Sequence, residues 1–212
     1  MKRESLIKKE IVEIGKEICR LGYAPASDGN ISCKYGGKIF ITPSGKSKGK
    51  LDAKDILTLS CSGKTISGFS GKPTTELPMH LAVYRRRRSD VSAVIHAHPP
   101  YATALSIVGE SLMKNYLPEV VLTLGGIPTA KSKKPGFKEN AKAVFGLAGK
   151  YDAILLERHG VITFGKTLAC AFEKLERVEH SAKVIAIAKM IGNVSPLSRK
   201  FVKALHVIAR SI

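Results

Sequence analysis

The stretch VIHAHPPYATALS, residues 94–106, changes character in its middle. Its left half continues the β-branched run VSAVIHAH (91–98), which reads as a strand. Pro99 and Pro100 end that strand, and YATALSIVG (101–109) then reads as a short helix. A strand passing straight into a helix marks an α/β chain. The two histidines of the run, His96 and His98, raise a second question. Alternate strand residues share a face, so both rings can point to one place while Ala97 points into the opposite layer.

Outward from this stretch the same alternation of elements continues. Ile7, Ile11, Ile14, Ile18 and Leu21 follow one another at steps of four and three, one face of a helix over 4–21 that Gly22 is placed to stop. SDGNISCKYGGKIFITPSGKSKG (27–49) reads as a polar turn, a strand over 31–35, a Gly-Gly hairpin and a strand over 38–42. A third strand falls near 56–59, and CSGKTISG (61–68) reads as a turn region. PTTELPMHLAVYRRRR (73–88) reads as a helix with Thr74 and Thr75 as its caps and Pro78 tolerated in the first turn.

EVVLTLGGIP (119–128) reads as another strand or extended segment. Residues 137–150 form a helix ending at Gly149. AILLERHGVITFG (153–165) forms a strand pair around a tight turn at Arg158-His159-Gly160. Residues 167–191 form a long amphipathic helix, with a further helix in the tail from Ser195. No repeat, low-complexity tract or linker interrupts the order, so residues 1–212 read as one domain of mixed strands flanked by helices.

Composition narrows the classes. With 212 residues, 44% of them hydrophobic, the chain can bury a sizeable core. No apolar run approaches the ~18–20 residues that span a bilayer, and MKRESLIKKE has no apolar signal core. Cys19, Cys33, Cys61 and Cys170 form no C-x-x-C pair and read as free thiols in a reducing cytoplasm. The formal charge is +18. Its dense spots are Arg85 to Arg88 and KSKK (131–134), but no basic stripe interleaves with aromatics and there is no Trp, so nucleic acid is not the expected main partner. An anionic substrate would use the same charge.

Four residues then suggest a metal. His96 and His98 can converge on one ion, and imidazole suits Zn²⁺ at about 2.0–2.1 Å, though two ordinary polar residues at a strand end remain the other reading. His159 sits in a Gly-containing turn that can hold its ring rigidly. Glu76 opens the helix at 77, either as an ordinary first-turn acid or as a ligand. His80, four residues on, is placed to orient that carboxylate. His180 and His206 lie on helices, at the surface or the core edge. Gly29-Asn30, Ser44-Gly45 and Thr74-Thr75 each offer small residues and free backbone N–H groups. Each alone also reads as a turn, but the last stands at a helix N-terminus beside Glu76, where an anion is favoured.

Taken together, DGNIS, ITPSG, PTTELPMHLAVY, VIHAHPPYATALS, GGIP and ERHGVITFG resemble the class II aldolase/adducin family, in the family's order and over roughly residues 8–190. The resemblance is strongest to its L-fuculose-phosphate aldolase branch. It implies an α/β/α sandwich around a mostly antiparallel sheet. It implies one Zn²⁺ per subunit on His96, His98 and His159, with Glu76 as catalytic carboxylate and displaceable fourth ligand. It places Gly29, Asn30, Ser44, Gly45, Thr74 and Thr75 on the substrate phosphate. It implies a homotetramer with active sites at subunit interfaces. The implied reaction is reversible cleavage of a ketose 1-phosphate to dihydroxyacetone phosphate and a short aldehyde, L-lactaldehyde by default, through a metal-stabilised enediolate.

The chain departs from that branch at the tyrosines that handle the aldehyde. The tail SRKFVKALHVIARSI (198–212) has none, and Val121 and Leu122 stand where another would align. Tyr101, Tyr116 and His206 are the available substitutes. Related readings are a methylthioribulose-1-phosphate dehydratase, with Glu119 as the extra acid, and a ribulose-5-phosphate 4-epimerase. A non-enzymatic scaffold of adducin type is disfavoured by the retained histidines and Glu76.

Overall fold

In the computed structural model, residues 2–67, 71–131, 137–209 and 211 are described. KSKK at 131–134 therefore falls mostly outside the described residues. Eight strands form one sheet: β1 (Asn30–Tyr35), β2 (Lys38–Ile41), β3 (Leu57–Ser60), β4 (Thr65–Ser67), β5 (Ala93–Ala97), β6 (Thr129–Ala130), β7 (Ala153–Leu156) and β8 (Gly160–Gly165). Their spatial order is β4-β3-β2-β1-β5-β8-β7-β6. Every pairing is antiparallel except β6 with β7.

Among the described residues seven α-helices accompany the strands: α1 (Lys2–Arg20), α2 (Leu77–Arg86), α3 (Pro100–Ile107), α4 (Pro118–Thr123), α5 (Phe137–Ala148), α6 (Leu168–Ile191) and α7 (Arg199–Ala209). Strand alternation feeds two cores. Ile31, Ile95, Leu155 and Val161 pack toward α1, α3 and α6, while Val94, Ile154, Ile162 and Phe164 pack toward α2 and α5. The result is the α/β/α sandwich with a mostly antiparallel sheet. Among the described residues no helix is long and apolar enough to cross a membrane.

Two segments differ from the sequence expectation. EVVLTLGGIP is not a strand: Pro118 and Glu119 open the short helix α4, which buries Val120 and Val121. The β-branched pair suggested a strand, but Pro118 at the first helical turn pre-sets the helical φ and needs no N–H partner. The supposed turn region at 61–68 includes the edge strand β4, which is exposed along its length. Such a strand buries nothing, so it carries no hydrophobic alternation to read.

Candidate metal centre and phosphate cavity

β1 and β5 lie side by side at the middle of the sheet, in a register that sets Asn30 opposite His96, with β8 on the other flank of β5. His96 therefore faces α2 together with Val94, whereas Ala97 joins the opposite core, as the strand parity requires. His98 lies just beyond β5, its backbone N–H donating to the Tyr23 carbonyl at 2.7 Å. Pro99 turns the chain, and Pro100 opens α3. The first two free N–H groups of α3, on Tyr101 and Ala102, donate to the buried Glu179 carboxylate of α6, each at 2.9 Å. That clamp fixes the segment following the histidines.

His159 reaches the same place from the β7–β8 turn. Arg158 takes the left-handed conformation there, with φ 56°, and its N–H donates to Ser106 Oγ of α3 at 2.9 Å. Gly160 follows because nothing larger fits. A Cβ at that position would stand 2.4 Å from the Ala97 carbonyl oxygen and 2.8 Å from the His98 ring. Glu76 sits at the entrance of α2, where Thr74 rather than Glu76 supplies the turn bonds. Thr74 Oγ1 accepts the Glu76 N–H at 3.2 Å, and the Thr74 carbonyl accepts that of Leu77. Thr74 and Thr75 thus precede the cap position, and Glu76 is not a capping acid: its side chain makes no cap bond and turns inward.

The four side chains converge. Potential ligand atoms of Glu76, His96, His98 and His159 all lie within 4.8 Å of one another. The three imidazole rings are nearly equidistant, with centroids 4.8–4.9 Å apart. Glu76 Oε2 lies 3.2 Å from His96 Nε2, and Oε1 lies 3.2 Å from His159 Nε2. The tautomers follow from the partners. His96 Nδ1 faces the Val161 carbonyl at 2.9 Å and His98 Nδ1 faces Asp28 Oδ2 at 3.2 Å, so both Nδ1 atoms carry the proton. Both Nε2 lone pairs then face each other at 2.9 Å, an arrangement that repels unless a cation lies between. Glu76 Oε1 is buried with no hydrogen-bond partner. Lone pairs aimed inward and an orphaned carboxylate oxygen fit a divalent metal, and three nitrogens plus a carboxylate are the donor set that zinc takes.

Protonation agrees. Burial and the neighbouring imidazoles lower the His98 pKa to about 4, and burial lowers that of His159, so both stay neutral and free to ligate. Burial alone would raise the Glu76 pKa. The facing His96 and His159 imidazoles and the Asn30 amide hydrogen bond outweigh it and hold the carboxyl well below its usual range.

Behind Glu76 runs a buried chain of hydrogen bonds. Asn30 Nδ2 donates to Glu76 Oε2 at 2.7 Å, and Asn30 Oδ1 meets His80 Nε2 at 2.5 Å. His80 Nδ1 meets Ser32 Oγ at 2.7 Å, and Ser32 Oγ meets the Tyr84 hydroxyl at 2.7 Å. Because the carboxylate only accepts, each hydrogen is assigned in turn: Tyr84 to Ser32, Ser32 to His80, His80 to Asn30, Asn30 to Glu76. Burial pushes the His80 pKa down to about 3, which keeps the ring neutral as this order needs. His80 thus orients Glu76 through Asn30 rather than by contact.

The three proposed phosphate segments line one cavity of about 310 Å³ with Glu76, His98 and His159. Gly29 and Gly45 both take positive φ, and a Cβ on Gly29 would meet the His96 carbonyl oxygen at 2.9 Å. Asn30 lines the cavity too, but its amide oxygen and one amide hydrogen are already committed to His80 and Glu76. Two further residues of the site carried no motif of their own: Asp28, which orients His98, and the buried Lys48. Asp28 was legible only as a neighbour within DGNIS. Tyr101 and Tyr116 pack against the helical core. Glu119, His180 and His206 are exposed on α4, α6 and α7.

Such a centre, on such a sheet, defines a class. Residues 9–186 match the model of the Class II Aldolase and Adducin N-terminal domain, and the chain belongs to that family. Among curated relatives it is 35% identical over 189 residues to the 3-oxo-tetronate 4-phosphate decarboxylase of Pectobacterium atrosepticum, covering 87% of this chain and 85% of that protein. It is 36% identical over 176 residues to the L-fuculose phosphate aldolase of Methanococcus vannielii, covering 83% and 93%. Among solved structures it matches YgbL of Escherichia coli, a candidate aldolase, epimerase or decarboxylase. That match has a TM-score of 0.86 at 30% identity, over 96% of this chain and 99% of the other. It also matches the L-fuculose-1-phosphate aldolase of Thermus thermophilus, with a TM-score of 0.78 at 26% identity over 91% and 98%.

Proposed function

We propose that this chain, acting as a single domain over residues 1–212, is a zinc-dependent carbon–carbon lyase for a phosphorylated ketone, yielding dihydroxyacetone phosphate. One observation carries the reading: the Glu76, His96, His98 and His159 cluster opens into the cavity lined by Gly29, Ser44, Gly45, Thr74 and Thr75. A Zn²⁺ held by the three histidines would supply Lewis-acid stabilisation of the charge that builds beside the carbonyl. The phosphate segments hold the substrate's far end, so that the breaking bond sits at the cluster. Glu76, fixed on Oε2 by Asn30 and free at Oε1, delivers the proton to the enediolate carbon, or removes it in the reverse direction.

The first reading of the substrate is a ketose 1-phosphate of the L-fuculose 1-phosphate type, split to dihydroxyacetone phosphate and a short aldehyde such as L-lactaldehyde. A second is favoured by the 35% identity to a 3-oxo-tetronate 4-phosphate decarboxylase. Loss of CO₂ from that 3-oxo acid leaves the same enediolate. Its leaving group needs no proton handling, which suits a chain without the aldehyde-side tyrosines. Both substrates are to be offered to the metal-loaded protein, with dihydroxyacetone phosphate and CO₂ measured, before and after chelation. Chelator-sensitive dihydroxyacetone phosphate from at least one is expected; from neither, the lyase reading is wrong. CO₂ separates the two.

We also assign a cytoplasmic location and a homotetramer with sites at subunit interfaces. The assembly is supported by the apolar side chains exposed near the carboxyl end, Met190, Ile191, Phe201, Val207 and Ile208. Light scattering should give four times the 22.9 kDa chain mass; a monomer at micromolar concentration contradicts it.

A further inference from the structure

The loop after Gly45 reads KSKGK, with lysines at 46, 48 and 50. Lys46 is neutralised by Asp55, at 2.5 Å, and Lys50 is exposed. Lys48 is different: it is 1% exposed, yet it makes no ion pair among the described residues. Its ammonium donates to two neutral carbonyls, Ser27 and Lys46, each at 2.7 Å. An ammonium has three hydrogens, and buried charges ordinarily find a counter-charge. Lys48 also lines the cavity that holds Gly29, Ser44, Gly45, Thr74 and Thr75.

We propose that Lys48 is a specificity-determining residue whose ammonium binds the substrate's phosphate dianion. The inference rests on reading the cavity as a phosphate site. The other charged groups lining this cavity, Asp28 and Glu76, are acids held by His98 and by Asn30 and the histidine cluster. Among the described residues that line the cavity Lys48 is thus the one lysine or arginine, while the loops supply uncharged donors. The two carbonyls it holds belong to the segments leading into Gly29 and following Gly45, so the charge sits where those segments meet. The position is rigid. A Cβ on Gly15 of α1 would stand 2.8 Å from the Lys48 carbonyl oxygen, and one on Gly49 would stand 3.2 Å from Cys19 Cβ. A fixed ammonium needs little rearrangement to receive an anion.

The test is calorimetric titration of inorganic phosphate into the metal-loaded protein and its Lys48→Met variant, which keeps the stem and loses the charge. The variant should bind at least about tenfold more weakly, the effect of a hydrogen bond to a charged group. A lysine that only staples two loops would leave phosphate affinity within threefold, and that result overturns the inference. A crystal of the unaltered protein with inorganic phosphate decides the matter even if the variant fails to fold. A phosphate oxygen about 3 Å from Lys48 Nζ supports the assignment, and phosphate in the cavity away from Nζ refutes it. Should the unaltered protein bind no phosphate in this cavity, the phosphate reading itself falls, taking this inference with it.

Discussion

Glu76 combines two demands that pull against each other. It is buried, which disfavours its charge, and it must be charged to face three imidazoles. The chain from Tyr84 to Asn30 resolves the conflict by donating to Oε2 and leaving Oε1 free for chemistry. Glu76→Gln keeps the shape and removes the base. Steady-state turnover should fall by roughly 10²–10⁴-fold, with metal content still near one per chain by elemental analysis. A rate within twofold of the parent would remove Glu76 from the mechanism. This residue was legible in the sequence only through its motif. Nothing in TTELPMH distinguishes an inward carboxylate from a first-turn acid, because the difference lies in Thr74 taking over the turn bonds.

At the scale of elements, the site hangs on the approach of the β7–β8 turn to the end of β5. Gly160 makes that approach with no room to spare. Gly160→Ala should cost on the order of 2 kcal/mol or more, since the obstructing atom is a backbone carbonyl that cannot swing aside. Chemical denaturation would read the loss, and bound metal should fall with it as His98 and His159 are pushed apart. An unchanged denaturation midpoint would show that the turn is not so constrained. Local pattern carried much of this element level. The parity of IHAH fixes which way His96 faces, and the alternating steps of four and three mark α1. What local pattern could not supply was pairing over distance: β1 beside β5, which brings Asn30 to His96, and the order of all eight strands. The α4 error has the opposite origin, a β-branched pair outweighed by a proline at the first helical turn.

For the whole molecule, the formal charge of +18 sets up a field that attracts anions, but the buried site decides how the fold answers to pH. His80 and His98 bind protons only near pH 3 and 4 when folded, against 6.5 when unfolded. Between those values the unfolded chain holds more protons, so stability falls as the pH drops below about 6.5, by up to about 1.4 kcal/mol per pH unit for each histidine. Glu76, with its lowered pKa, acts in the same direction below pH 4.5, and Glu179, raised by burial, acts weakly against it. Metal deepens the effect, because ligation requires neutral imidazole. The thermal midpoint should therefore be nearly flat from pH 8 to 7 and fall by several degrees between pH 6.5 and 5, more steeply when metal-loaded than after chelation. Differential scanning calorimetry across that range is the check. A chelated protein with the same midpoint at pH 7 and pH 5 would mean that His80 and His98 are not held neutral by the fold, and a metal-loaded protein with no steeper fall would mean that His98 is not among its ligands.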